Sequence, residues 1–169
     1  MTERAGAGRS AAHDAAHDAA HDAVRDAARG HREVDHTADQ ILVAEGRSRA
    51  DCLEEAALGF VGLFAEVADG GTGHTDHQPR THEARLDGAD GPSLLLALLD
   101  EIVFLADAES LVPVGVRVDD RGEQVMAHLE VVDLDDAEAT GPPPKGVSRS
   151  GLTLRPEDDG WIARAIVDI

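Results

Sequence analysis

The stretch that decides the fold is residues 150–169, which read SGLTLRPEDDGWIARAIVDI. Two runs of alternating side chains flank a turn-forming segment at residues 156–160, and this pattern predicts an antiparallel hairpin. In the second run, one face carries Trp161, Ala163, Ala165 and Val167, and the other carries Ile162, Arg164, Ile166 and Asp168. A strand patterned this fully up to its end is expected to be held within a sheet.

Further strands are predicted outward from this hairpin. Residues 114–134, VGVRVDDRGEQVMAHLEVVDL, alternate around an Asp-Asp-Arg-Gly turn and predict a second hairpin. The segments HREV, QILVAEG and THEARLDG, which begin at residues 31, 40 and 81, are typical of shorter strands. Residues 138–150, EATGPPPKGVSRS, predict a loop.

Two helices are predicted between the strands. Ser48 with Asp51 forms a capping box ahead of a helix over residues 49–67. Ser93 is expected to cap a second helix over residues 94–109, whose first half is apolar on nearly every side and therefore predicts burial against a sheet. The predicted fold class is α+β, a two-layer arrangement in which two main helices pack on one face of a mostly antiparallel β-sheet.

The chain is expected to divide into a tail and one domain. Within residues 1–30, the segment AAHDAAHDAAHDAVRDAARG repeats a four-residue unit with almost nothing apolar beyond alanine. This composition predicts a low-complexity, disordered or fraying helical tail, with weak metal binding by His pairs as a less favoured reading. Residues 31–169 predict a globular α+β domain.

The charge of the chain restricts its partners. The formal net charge is −19, and Lys145 is the single lysine. Such an acidic surface repels the phosphate backbone, so tight direct binding of nucleic acid is not expected. A cationic protein partner or bound metal cations fit this charge, although acidity that only serves solubility fits it as well.

The cysteine content and the apolar runs predict a cytoplasmic protein. Cys52 is the single cysteine, so no intrachain disulfide is possible, as expected in a reducing compartment. Cys52 falls at an apolar helical position, which predicts a core residue and not a nucleophile. No apolar run approaches the roughly 18–20 residues of a membrane span, and no secretory signal is evident.

Carboxylate groups stand at the ends of two predicted strands. Asp39 opens the strand that begins at residue 40, and Asp168 with the carboxylate of Ile169 closes the last strand. If these ends meet, clustered carboxylates would favour a hard divalent cation. The sequence alone leaves open whether they do so or are strand-end caps and solvated acids. His36 and Thr37 are expected to fix the preceding turn by local hydrogen bonds.

Four segments together resemble the archease family. They are DHTAD at residues 35–39, LEEAALGFVGLF at 53–64, SLLLALLDEIVFL at 93–105, and IVDI at the end of the chain. The resemblance covers about residues 31–169. It implies a small α+β protein that is not itself an enzyme but an accessory factor of the GTP-dependent tRNA-splicing RNA ligase. Such factors promote guanylylation of the ligase's active-site histidine and allow multiple turnover.

The resemblance also implies a metal site. A divalent metal, expected to be Ca²⁺ with Mg²⁺ or Mn²⁺ as alternatives, would be held by Asp39, Asp168 and Ile169.

An alternative role is a chaperone-like binding protein that modulates the oligomerisation or specificity of a nucleic-acid-modifying enzyme such as a methyltransferase. A stand-alone hydrolase is not favoured, because no nucleophile–base constellation is recognisable in the sequence.

One segment departs from the family pattern. Residues 142–154, PPPKGVSRSGLTL, fall on a motif of the type T-E-V-K-A-[IV]-T-[YW]-H. Lys145 lands on the motif lysine, but prolines replace the preceding Thr-Glu, and Arg149 and Ser150 replace the aromatic residue and the histidine. Lys145 and His36 are candidate contacts for a phosphate or a partner. Lys145 is also a candidate to pair with the carboxylates.

Overall fold

The fold combines two main helices with antiparallel strands, as predicted. A computed structural model describes residues 39–66 and 79–169 in full and residues 30–36 by their backbone. The predicted tail falls almost entirely outside these residues, so the division of the chain at residue 30 stays a prediction. Within the described residues, no helix is long and apolar enough to cross a membrane.

A four-stranded sheet contains both ends of the described chain. Its strands are β1 (Gly30–His36), β2 (Asp39–Gly46), β8 (Gly146–Glu157) and β9 (Gly160–Asp168). Their order across the sheet is β1-β2-β9-β8, and each neighbouring pair is antiparallel. The predicted C-terminal hairpin is therefore confirmed, and β9 lies inside the sheet between β2 and β8.

The remaining strands form separate sheets. A three-stranded antiparallel sheet has the order β4-β6-β5, from β4 (Arg80–Leu86), β5 (Leu111–Asp120) and β6 (Val125–Asp133). After β6, a single 3₁₀ turn (Leu134–Asp136) leads to the two-residue strand β7 (Glu138–Ala139), which pairs with β3 (Ala65–Glu66). The alternation in the sequence predicted these longer strands but not their division between sheets.

Helix α1 (Arg49–Gly62) begins as predicted and ends earlier. Ser48 caps it by accepting a hydrogen bond from the Asp51 backbone nitrogen at 3.0 Å. The prediction that the helix continues to residue 67 is wrong. The chain leaves the helix after Gly62, a poor helix former, and residues 65–66 pair with β7 instead.

Helix α2 (Gly91–Ala108) begins three residues before its predicted start. The prediction that Ser93 caps it is wrong, because Asp90 occupies the cap and accepts a hydrogen bond from the Ser93 backbone nitrogen at 2.9 Å. Pro92 then stands in the first turn, where the absence of its N–H costs nothing. The predicted loop at residues 138–150 is likewise only partly a loop, because β8 starts at Gly146.

The helices pack against strands of both main sheets. Helix α1 contacts β2 and β5, and α2 contacts β8 and β5. The core is almost entirely aliphatic, in keeping with the scarcity of aromatic residues, and its largest fully buried side chains include Phe60, Leu42, Leu53, Leu95, Leu98, Leu99 and Ile102. Cys52 is fully buried in this core, and burial raises the pKa of its thiol to about 12, so it is a structural residue.

A partly buried ion pair joins α1 to both sheets. The Arg49 guanidinium donates two hydrogen bonds of 2.6 Å to the Asp120 carboxylate at the end of β5. It also lies 5.9 Å from the ring centroid of Trp161, which belongs to β9. The bond to Arg49 holds the pKa of Asp120 below its usual range.

This ion pair gives a prediction for stability against pH. Because the pKa of Asp120 is lowered by folding, its contribution is present above the unfolded pKa and is lost as pH falls through the folded value. We expect Asp120→Asn to lower the free energy of unfolding by about 1–2 kcal/mol at neutral pH. The difference from the parent protein should shrink as pH falls below about 4.

Urea unfolding followed by circular dichroism across this pH range measures the difference. Glu157→Gln is the control, because its partner Arg155 and Glu157 itself are both well exposed and such pairs contribute about 0–1 kcal/mol. If the free energy of unfolding of Asp120→Asn stays below that of the parent protein by a constant amount down to pH 2, the lowered pKa does not belong to Asp120.

The close approach of β2 to α1 gives a second prediction. A Cβ on Gly46 would overlap the backbone nitrogen of Cys52 and lie 2.7 Å from the carbonyl carbon of Asp51. We expect Gly46→Ala to cost about 2–3 kcal/mol, because the backbones must separate. Gly62→Ala is the matched control, because a Cβ there meets nothing within 4 Å. Equal unfolding midpoints for the two variants in urea would show that this contact is not tight.

Candidate functional site

The pairing of β2 with β9 brings the two predicted carboxylate residues together. Asp39 is paired directly with Asp168 in the strand register. Residues in this relation have Cβ atoms about 4.5–5.5 Å apart. The structure therefore brings these two residues together, a question that the sequence left open, and both are exposed to solvent.

Burial fixes this register. On β2 the side chains of Leu42 and Ala44 are buried, and on β9 those of Ala163, Ala165 and Val167 are buried. A slip of one residue would turn each buried set toward solvent, which makes other registers unfavourable. The position of Asp39 opposite Asp168 thus follows from the packing of apolar residues elsewhere on the same strands.

The loop before β8 reaches the same end of the sheet. The Lys145 backbone nitrogen donates a hydrogen bond to the Asp168 carbonyl oxygen at 2.9 Å, and Gly146 is paired with Asp168 in the register. The Lys145 Nζ donates a hydrogen bond to the main-chain oxygen of Ile169 at 3.1 Å. We call the group of Asp39, Lys145, Asp168 and Ile169 the carboxylate corner.

The segment that precedes Asp39 is described in part. His36 ends β1 and is paired with Asp39 in the register, so its backbone lies beside the carboxylate corner. The side chain of His36, and Thr37 with Ala38, fall outside the described residues. The expected hydrogen bonds of His36 and Thr37, and a contact of His36 with a partner, stay predictions.

The oxygen atoms of the carboxylate corner are the kind that a hard cation accepts. Carboxylates directly opposite each other repel, and a cation between them relieves this repulsion. Within residues 39–66 and 79–169, no three Asp, Glu, His or Cys side chains converge closely enough to hold a metal ion. Asp39 and Asp168 are therefore the two side-chain carboxylates that this corner offers to a cation.

The contact between Lys145 and Ile169 is the feature that sequence reasoning left undecided. Pairing with the carboxylates was one of several roles open to this lysine. The signal was present, because Lys145 is the single lysine of an acidic chain and stands just before the C-terminal hairpin. Which of the many acidic groups it would meet depends on the pairing of β8 with β9, and this pairing includes an irregular register between Ser148 and Thr153.

A second polar surface lies on the three-stranded sheet. A shallow groove of about 420 Å³ is lined there by residues that include Arg117, His128 and Glu130. The His128 Nδ1 is 3.3 Å from Glu83 Oε1, and its Nε2 is 3.4 Å from Asp119 Oδ2 without hydrogen-bond geometry. Arg117 also pairs with Asp119 at 3.1 Å. Arg117 and His128 thus each have an acidic neighbour beside the groove.

Comparison with known proteins relates the whole domain to one family. The archease protein family matches residues 31–169. A "probable protein archease" of Mycobacterium tuberculosis is 30% identical over 140 residues, which cover 83% of this chain and 75% of that protein. A "protein archease" of Archaeoglobus fulgidus is 27% identical over 141 residues, which cover 82% of this chain and 98% of that protein.

Solved structures share the fold. The solution structure of a Methanobacterium thermoautotrophicum protein superposes with a TM-score of 0.58 at 23% identity and covers 83% of this chain and 99% of that one. The crystal structure of a Thermotoga maritima protein, named "an archease, possible chaperone", gives a TM-score of 0.54 at 14% identity over 82% and 96% of the two chains. The family match over residues 31–169 and the 30% identity to the Mycobacterium tuberculosis relative show that the chain belongs to the archease family.

Proposed function

We propose that this protein is an accessory activator of the GTP-dependent tRNA-splicing RNA ligase and not itself an enzyme. It promotes guanylylation of the ligase's histidine and repeated turnover in the cytoplasm. Membership of the archease family supports the role. The observation that supports a functional site at this place is the pairing of Asp39 with Asp168. Ile169 lies at the same end of the sheet.

The proposal includes a divalent cation at the carboxylate corner. Asp39, Asp168 and the carboxylate of Ile169 would hold it. These are hard oxygen donors, which favour Ca²⁺, Mg²⁺ or Mn²⁺ over Zn²⁺. Both aspartates are exposed, so water completes the coordination. A cation there would supply a positive charge able to attract phosphate oxygens.

The charge of the chain supports a protein partner over direct RNA binding. With a formal net charge of −19, the surface attracts cationic groups and repels phosphates. A divalent cation bound at the carboxylate corner would make the electrostatic potential there locally positive. Lys145, and His36 on the neighbouring strand, are the residues of this region that we propose to contact a phosphate or a partner group.

The contribution of the chain is one of positioning. Transfer of a guanylyl group to a histidine requires the triphosphate and the nucleophile to be held in line. Asp39 and Asp168 are carried by the two inner strands of the four-stranded sheet, whose buried alternation fixes their relative position. A rigid corner of this kind can dock beside the ligase's active site and stabilise its reactive conformation.

A second candidate function is a chaperone-like binding protein that controls the oligomeric state of a nucleic-acid-modifying enzyme such as a methyltransferase. The name of the Thermotoga maritima protein, which includes "possible chaperone", favours it. Light scattering of the partner enzyme with and without this protein separates the two roles. A change in the partner's mass without a change in ligase guanylylation would support the second role and contradict the first.

Formation of the ligase–GMP adduct tests the proposal. Substoichiometric protein should increase the adduct and the number of ligation turnovers of a cognate ligase. Asp39→Asn should reduce this stimulation by roughly tenfold or more, because it removes one of three anionic ligands. Asp158→Asn, an exposed carboxylate in the turn between β8 and β9, is the matched control and should stimulate normally.

Thermal unfolding supplies the control for folding. Both substitutions replace exposed residues and should change the free energy of unfolding by less than about 0.5 kcal/mol. Full stimulation by Asp39→Asn would remove the carboxylate corner from the function. No stimulation by the parent protein would contradict the ligase role itself.

An extension of the C-terminus tests the third ligand separately. Adding residues after Ile169 converts its carboxylate into a neutral amide, so stimulation should fall to the level of Asp39→Asn. The same residues added at the N-terminus are the control for bulk and should have no effect. If the extended protein activates the ligase normally, the Ile169 carboxylate has no part in the site.

A further inference from the structure

Lys145 makes two different contacts with the end of β9. Its backbone nitrogen donates to the Asp168 carbonyl oxygen at 2.9 Å, and its Nζ donates to the main-chain oxygen of Ile169 at 3.1 Å. The first bond continues the pairing of β8 with β9, in which Gly146 is opposite Asp168. The loop is therefore held by a contact that does not involve the lysine side chain.

The ammonium group is free to move away from this contact. Lys145 is exposed, and its four-carbon side chain can carry the charge into solvent without breaking the backbone bond. The preceding Pro144 is buried, which anchors the loop from the other side. The contact with Ile169 thus joins an anionic group to a cationic group on a flexible side chain.

An ammonium group and a divalent cation compete for this corner. The ammonium has three donors and no acceptor, so it occupies the Ile169 oxygen that it contacts and offers no ligand to a metal. If it remained beside a bound divalent cation, the two would repel. The repulsion between a unit charge and a double charge about 6 Å apart in water corresponds to about a tenfold loss of affinity.

We propose that Lys145 is an internal counter-ion that occupies the carboxylate corner until a divalent cation displaces it. The exchange has two effects: it lowers the affinity of the corner for the cation, and it releases the only lysine ammonium of the chain beside the newly occupied site. The released group is then available to a phosphate or carboxylate of the partner. This inference rests on the cation site proposed above.

Calcium titration of the full-length protein tests the exchange. We expect Lys145→Gln to bind Ca²⁺ about tenfold more tightly than the parent protein in isothermal titration calorimetry, because the competing charge is gone. Lys145→Arg keeps the charge and should stay near the parent value. Asp39→Asn, which removes a proposed ligand, should bind Ca²⁺ at least tenfold more weakly.

A second readout follows the lysine directly. Reductive methylation with ¹³C-labelled formaldehyde keeps the positive charge and labels the amino groups. Since Lys145 is the single lysine, its methyl resonance is distinguished from that of the N-terminus by comparison with Lys145→Gln. This resonance should shift when Ca²⁺ is added to the parent protein and stay constant when Ca²⁺ is added to Asp39→Asn at the same concentration.

The outcomes separate the exchange from the cation site. If the parent protein binds Ca²⁺ and Lys145→Gln binds it with equal or lower affinity, Lys145 is not a competitor and the exchange is overturned while the site stands. An unchanged Lys145 resonance at saturating Ca²⁺ overturns it equally. If neither the parent protein nor Lys145→Gln binds Ca²⁺, the cation site and the exchange both fail.

Discussion

The antiparallel pairing of β2 with β9 is the interaction on which the rest of the molecule depends. Its register follows from apolar side chains, notably Leu42 and Ala44 on one strand and Ala165 on the other, that must face the helices. The polar residues at the strand ends contribute little to the register, but the register determines their positions. Asp39 lies opposite Asp168 because this register is the one that buries the apolar residues of both strands.

Both helices pack against strands of this sheet and support the pairing. Helix α1 lies against β2, and its first residue, Arg49, is bound to Asp120 of the three-stranded sheet and lies near Trp161 of β9. The buried aliphatic face of α2 packs on β8. The proposed site is thus exposed at its carboxylates and supported by a buried, apolar core. Such an arrangement holds charged groups in place that would otherwise separate by repulsion.

Much of the fold follows from local patterns in the sequence. The alternation in residues 160–168 and the helical spacing from Leu53 to Phe60 are strong periodic signals, and the structure confirms both. Element ends were less predictable, since they depend on competing partners. Asp90 takes the cap expected of Ser93, and the pairing of β3 with β7 ends α1 early. The proximity of Asp39 and Asp168 depends on the tertiary structure and cannot be predicted from local sequence patterns.

The most direct test of the carboxylate corner is paramagnetic relaxation of backbone amide resonances by substoichiometric Mn²⁺. A cation at the corner should broaden the amides of residues 39, 145, 146, 168 and 169 first, because relaxation falls steeply with distance from the ion. The amides around Glu83, Asp119 and His128 on the other sheet should remain sharp. Broadening centred on that second group, or uniform weak broadening over the acidic surface, would contradict a cation site formed by Asp39, Asp168 and Ile169.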